Sequence, residues 1–272
     1  MSRISWGAVI ERAREIVESY DTSVTLRQLH YRLVSEQVIP NTEGAYKRLS
    51  ALTAEARRRG EFPDLIDRGR QIHEASWWGD PIEAMQALIS QYRVDRTTGQ
   101  DVSLYLGVEK AGLVVQLQGW FGDLGVPVLA LGGYSSQTYV DDVAFSVRNQ
   151  GRPAVLLYAG DHDPSGEDID RDFVERSGCW DKVIRVALSA EQVTDYGLPP
   201  NPGKLTDSRA GAFVARHGHL VQVELDALDP ADLRGLFADA IEEYWDTSAY
   251  ALAMAREVAD RSALRAAAGG LR

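Results

Sequence analysis

Apolar positions along the chain follow two different periods, and the change between them divides it. In the first sixty residues Trp6, Val9, Ile10, Ala13, Val17 and Tyr20 recur at helical spacing, which predicts an amphipathic helix. Thr25-Leu26-Arg27-Gln28 has the spacing of a capping box and predicts a second helix to about Glu36, with Leu26, Leu29 and Leu33 on one face. A third is expected after Pro40-Asn41, running to Arg57-Arg58-Arg59-Gly60, where cations suit a helix C-terminus and glycine its exit. Pro63 and Gly69 mark residues 61–75 as a small β wing. Asp80-Pro81-Ile82-Glu83 is a strong helix start, and Met85, Leu88, Ile89 and Tyr92 continue it as a helix joining the two halves. The polar stretch Arg93 to Gln100 is read as a boundary.

From residue 101 the pattern becomes short apolar runs alternating with helical stripes. Val102–Val108, Val126–Leu131, Ala154–Ala159 and Lys182–Ala187 read as strands, and Leu220–Leu225 as a fifth. Helices are expected after the first strand (Leu113, Val114, Leu117, Trp120, Phe121), over 134–149, from Pro164 to Arg176, from Asp229-Pro230 onward, and through the Ala/Arg-rich tail. Alternating strands and helices give an α/β class with a mostly parallel sheet covered by helices on both faces. The expected organisation is residues 1–75 as a small helical domain, 76–100 as a linker helix and 101–272 as the α/β domain with a helical extension. Three compact helices and a wing resemble a helix-turn-helix or winged-helix module, whose third helix would meet DNA.

Charge sharpens this division. Residues 1–75 hold 12 Lys+Arg against 11 Asp+Glu, a net of +1, so residues 76–272 carry -12 against the whole chain's formal charge of -11. So acidic a chain binds a polyanion only if its cations gather on one face and metal occupies some carboxylates. The single Cys179 excludes an intramolecular disulfide framework and a thiolate zinc cluster, which fits a reducing compartment. No apolar run approaches a membrane span, and the N-terminal segment reads as an amphipathic helix rather than a signal peptide, so a cytoplasmic protein is expected.

Ligands of open parallel sheets bind beyond the carboxyl ends of the strands. Glu109 directly follows the first strand, and Asp161 and Asp163 follow the third in Gly160-Asp161-His162-Asp163-Pro164-Ser165-Gly166. All three acids should therefore share one rim of the sheet. Gathered carboxylates repel unless a cation neutralises them, and oxygen-only ligation suits Mg²⁺ or Mn²⁺ with a phosphate oxygen completing the shell. Asp163-Pro164 also has the form of a plain helix cap, and the joint placement of the acids at two strand ends carries the signal.

Val-Glu109-Lys110 after one apolar strand and Asp161-His162-Asp163-Pro164-Ser165-Gly166 after another resemble the Toprim fold of topoisomerases, primases, RecR-type repair proteins and OLD-type nucleases. The Asp-x-Asp-Pro-x-Gly form is most similar to the topoisomerase VI A subunit and its meiotic relative Spo11. The resemblance covers residues 101–190 firmly and the rest loosely. It implies that Glu109, Asp161 and Asp163 hold Mg²⁺ at a DNA phosphodiester, and that an N-terminal winged helix carries a nucleophilic tyrosine in an Arg-Asp-x-x-Tyr segment. Arg27-Gln28-Leu29-His30-Tyr31 resembles that segment, with Gln28 in place of the usual Asp. On a helical wheel Tyr31 lies away from the leucine stripe and shares a face with Arg27, whose guanidinium is expected to bind phosphate and favour the phenolate. A surface tyrosine packed on another element has the same pattern. Lys47, Arg48, Arg57, Arg58 and Arg59 lie on the expected recognition helix and fit backbone contacts to DNA, or an ordinary solvated face.

The resemblance thus implies Mg²⁺-dependent DNA cleavage and rejoining. Tyr31 would form a 5′-phosphotyrosyl link, and Glu109 would serve as a metal ligand or acid/base. It also implies a homodimer that shares its sites between chains. No GHKL-type ATPase segment is visible, so strand passage would need a separate partner. Two alternatives are a Toprim nuclease using water and a RecR-like DNA-binding scaffold without turnover. A haloacid-dehalogenase-like phosphatase fits less well, because Pro164-Ser165-Gly166 replaces its usual hydroxyl pattern and Glu109 would be left without a function. Lys204, Asp207 and Arg209 form one further polar cluster and Glu224 and Asp226 another, either structural salt bridges or, for the latter, an outer acid to the metal site. His162, His217 and His219 lack metal-ligand spacing and are assigned no role.

Overall fold

The computed structural model describes residues 4–20, 24–66, 75–202 and 209–269. Three helices open the chain: α1 (Trp6–Glu18), α2 (Leu26–Ser35) and α3 (Glu43–Arg58). Thr25 and Gln28 form the expected capping box, and Thr42 caps α3 through its side chain. Val9, Ala13, Ile16, Leu29, Leu33, Leu49 and Phe62 make a core of their own for these helices. Most of the expected wing, residues 67–74, lies outside the described residues, and residues 61–66 contain no strand. Asp80 caps α4 (Pro81–Gln91) as expected, but only Ile89 of its apolar stripe is buried and Leu88 faces outward. This helix packs against the last helix, α11 (Thr247–Gly269), where the Tyr92 hydroxyl donates to Asp260 at 2.8 Å.

The second half is an α/β layer structure. Its parallel sheet is built from β1 (Ser103–Val108), β2 (Val128–Ala130), β3 (Ala154–Ala159) and β4 (Lys182–Ala187), in the order β2-β1-β3-β4. Every residue of β1 and β3 is buried, as continuous apolar runs in central parallel strands require. Leu104, Leu106 and Val108 face α5 (Ala111–Phe121) and α10 (Pro230–Glu242), whereas Tyr105, Leu156 and Tyr158 face α6 (Gln137–Asn149) and α7 (Pro164–Ser177). Two further short helices, α8 (Ala190–Asp195) and α9 (Ala210–His217), have no counterpart in the apolar pattern.

The fifth strand is not part of this sheet. Val221–Gln222 forms only a two-residue β6, antiparallel to β5 (Asn201–Pro202), and the chain then turns into a 3-10 segment at Leu225–Ala227. Its apolar alternation instead lets Val223 and Leu225 join the main core, while Val223 exchanges backbone hydrogen bonds with His162 at 2.9 and 3.0 Å. That bridge lays the 221–227 segment across the carboxyl end of the sheet, and α2 packs on it from the other side. Among the described residues no helix is long and apolar enough to cross a membrane.

A candidate metal and phosphodiester site at the sheet rim

The register pairing Val108 with Ala159 puts the residues that follow β1 and β3 side by side. Glu109 donates its backbone N–H to the Ala159 carbonyl at 3.0 Å, and its Oε2 accepts the Asp161 N–H at 2.9 Å. Residues 109 and 161 therefore meet, as the strand-end argument requires. Asp163 sits at the N-cap of α7, its Oδ1 accepting the Gly166 N–H at 2.6 Å, so it performs the capping role, and its charge also acts on Glu109. Small residues make room for this arrangement. A Cβ on Gly166 would stand 2.4 Å from the Asp161 carbonyl oxygen and 3.1 Å from Glu109 Oε2, and a Cβ on Gly132 would stand 2.3 Å from the Glu109 carbonyl oxygen.

The electrostatics follow from burial. Asp161 is 6% exposed. Burial pushes its carboxyl up to about 7, against the pull of Lys110 and with the nearby Glu109 and Glu224 adding to the rise. Burial likewise raises Glu109, with Asp163 reinforcing it and Lys110 and Arg185 opposing. Such carboxyls keep their protons unless a cation compensates. Lys110 supplies one charge: its ammonium contacts Asp161 Oδ1 at 3.0 Å, Asp226 Oδ2 at 3.5 Å and Glu224 Oε2. The sequence motif contains Lys110 without disclosing this role, because its partners lie as far along the chain as Asp226. Asp161 Oδ1 also accepts the Leu225 N–H at 2.7 Å. Each of Glu109, Asp161 and Asp163 keeps one carboxylate oxygen without a hydrogen-bond donor among the described residues. Oxygen-only donors are the chemistry a hard divalent cation such as Mg²⁺ takes, but among the described residues these three carboxylates do not close to within 4.8 Å of one another, so they would have to draw together to share one ion.

Tyr31 reaches the same rim within one chain. It shares a helix face with Arg27, whose guanidinium lies 5.5 Å from the ring centroid, as the wheel indicates. Rather than facing solvent, the ring is half-buried with Lys110 Nζ 5.6 Å from its centroid, and its hydroxyl donates to Glu224 Oε1 at 3.2 Å. The expectation that a guanidinium favours the phenolate is corrected here. Burial and then Glu224 raise the phenol, outweighing Arg27 and Lys110. Burial works against ionisation of Glu224 too, yet Lys110 and Arg27 hold its carboxyl below the ordinary range. Glu224 and Asp226 thus form an outer acidic ring joined to Asp161 through Lys110. Gln28, the departure from the family pattern, does more than cap α2. Its Nε2 donates to Gln116 Oε1 on α5 at 3.0 Å, tying the helical unit to the sheet.

The basic residues of α3 lie elsewhere. Lys47 pairs with Glu43 at 2.6 Å, Arg59 with Glu55 and Glu61 at 2.7 Å each, and Arg57 Nε donates to the Thr53 carbonyl at 3.4 Å, while Arg48 and Arg58 are exposed. Lys204 and Asp207 fall outside the described residues, and Arg209 NH1 donates to the Tyr134 hydroxyl at 3.3 Å.

One constellation has no trace in the sequence pattern. His162, Glu167 and His217 converge so that one donor atom of each lies within 4.8 Å of the others, whereas His219 is exposed on the turn after α9. Their separations along the chain match no local motif, and only the packing of α9 on α7 joins them. No protein-family model and no curated protein matches the chain.

Proposed function

We propose that the chain is a Toprim-type, Mg²⁺-dependent DNA strand-cleaving enzyme, similar to a topoisomerase VI A subunit with a winged-helix-like N-terminal unit. The observation that carries this reading is the meeting of Glu109 with Asp161 at the rim where α2 also delivers Tyr31. Glu109, Asp161 and Asp163 would hold the metal, which when bound supplies positive charge to a phosphodiester. The Tyr31 oxygen attacks phosphorus, the bond to O3′ breaks, and a 5′-phosphotyrosyl link results. Glu224 is placed to take the phenol proton. Glu109, whose carboxyl burial raises, is suited to protonate the departing O3′ and to recover that proton on rejoining. Transfer from a raised phenol to a lowered carboxylate is uphill at rest. A phosphodiester seated between Arg27 and Lys110 draws both cations from Glu224 and restores its basicity.

Both the tyrosine and the acids come from one chain, so one copy suffices for one strand, and a homodimer would serve double-strand cutting. ATP-driven strand passage would need a GHKL-type ATPase module in addition to these residues. On α3, Lys47, Arg48, Arg57, Arg58 and Arg59 would contribute salt-dependent backbone contacts.

The raised Tyr31 phenol favours one alternative, a nuclease that uses the same acids and water as nucleophile. Incubation with supercoiled plasmid and Mg²⁺ or Mn²⁺, stopped with detergent, separates the readings. Protein covalently attached to DNA ends, lost in Tyr31→Phe, supports transesterification. Cleavage that survives Tyr31→Phe without attachment supports hydrolysis. DNA binding that survives alanine at all three acids, with no cleavage in either metal, means a RecR-like scaffold and overturns the enzyme reading.

A further inference from the structure

We propose that His162, Glu167 and His217 form a transition-metal site of the zinc class, separate from the carboxylate rim. Three elements deliver the donors: the loop after β3, the first turn of α7 and the last turn of α9. His217 Nε2 lies 2.6 Å from Glu167 Oε1, and the rings of His162 and His217 meet edge to face with centroids 4.9 Å apart. His162 is 3% exposed, its ring nitrogens bond to no other described residue, and one of them lies within 4.8 Å of the donor atoms of Glu167 and His217. An enclosed imidazole gains from a partner for its ring nitrogen, and coordination of a metal would supply one.

The donor chemistry selects the ion. Two imidazoles and one carboxylate are borderline ligands, poor for Mg²⁺ and good for Zn²⁺, which takes three such donors and leaves a fourth position to water. With bonds of about 2.0–2.2 Å, tetrahedral zinc needs donors about 3.4 Å apart. The 2.6 Å His217–Glu167 contact would have to open for an ion to enter. Glu167 Oε2 already accepts from Arg216 NH1 at 2.7 Å, the outer hydrogen bond that fixes a ligating carboxylate. Backbone anchoring is also in place, since His162 is bonded to Val223 through both its N–H and C=O, and the Glu167 N–H donates to the Asp163 carbonyl. A metal here would clamp the loop carrying Asp161 and Asp163 to α9, just ahead of the segment that carries Glu224. Its role is structural positioning, and the site stands whether or not the rim cleaves DNA.

Cobalt(II) in place of zinc gives a direct readout, because its visible absorption is intense only in four- or five-coordinate sites. The purified full chain, stripped with chelator, is titrated with Co²⁺ and then back-titrated with Zn²⁺, and thermal unfolding is followed with and without Zn²⁺. The expected result is one cobalt per chain with intense absorption displaced by one zinc, and a zinc-dependent rise in melting temperature. Both signals persist in Asp163→Asn and fall in His217→Gln and Glu167→Gln, with affinity reduced by about tenfold or more. Only weak six-coordinate absorption in the wild-type chain overturns the proposal without recourse to any variant. Equal affinity in His217→Gln and Glu167→Gln also overturns it.

Discussion

Gly166→Ala probes the rim with a single methyl group. Gly166 is the third residue of α7 and has an ordinary helical backbone, so alanine there brings no conformational penalty of its own. The added Cβ would lie 2.4 Å from the Asp161 carbonyl oxygen and 3.1 Å from Glu109 Oε2. Ordinary carbon–oxygen contacts fall at about 3.3–3.6 Å, so the first is short by about 1 Å and its obstacle is backbone. The Asp161 peptide is held from both sides, its N–H by Glu109 and its carbonyl by Arg185 NH2 at 2.7 Å. Displacing it disturbs both acids as well as the helix start. Overpacking of this kind costs about 1–3 kcal/mol, and two simultaneous short contacts place the expected loss at about 2–3 kcal/mol. Urea unfolding followed by circular dichroism measures it. Gly235→Ala in α10 is the control: nothing lies within 4 Å of the new Cβ, so stability should rise by about 0.5–1 kcal/mol. If Gly166→Ala unfolds at the wild-type urea concentration while Gly235→Ala behaves as stated, the close packing of Glu109, Asp161 and α7 is wrong.

Lys110→Met removes the ammonium shared by Asp161, Glu224 and Asp226, and should cost about 3 kcal/mol at pH 8 and less at pH 5, where Asp161 takes up a proton; equal losses at both would refute the shared-charge role. Because the folded Asp161 carboxyl is raised to about 7, the folded chain binds its proton more tightly than the unfolded one, near 3.9. Stability of the metal-free protein should therefore decline as pH rises from about 4 to 7. Melting temperatures across that window should show the decline flattened in Asp161→Asn, and an unaltered slope would contradict it. Glu257 is fully buried on α11 and binds Arg96 through both oxygens at 2.6 and 2.9 Å, with Arg261 at 3.0 Å. Glu257→Ala should cost about 3–5 kcal/mol by chemical denaturation, and a loss under about 1 kcal/mol would mean that the pair is not the anchor of that helix.

Elements with long stripes or strong caps were legible in the sequence: α1 to α3, the Asp80 and Asp229 helix starts, and β1 and β3, whose unbroken apolar runs reflect burial on both faces. The rim acids were legible for the same reason, since two adjacent strand ends fix where Glu109 and Asp161 fall. Leu220–Leu225 misled because alternation reports that one side is buried and not which partner covers it. The helix α8 left a readable trace, the Ser189–Gln192 capping box, but its six residues are too short for a stripe. Neither the Lys110 network nor the histidine cluster has any local signature, because both depend on how residues 209–229 fold back over the sheet.

That return of the chain has a further consequence. Glu224 and Asp229 present carboxylates to Arg27 and Arg32 of α2, at 3.5 and 2.8 Å, and Glu224 also engages Lys110. To those three cations the acidic stretch is a built-in mimic of a polyanion. If the proposed phosphodiester ligand binds there, it must first displace that stretch from Arg27, Arg32 and Lys110.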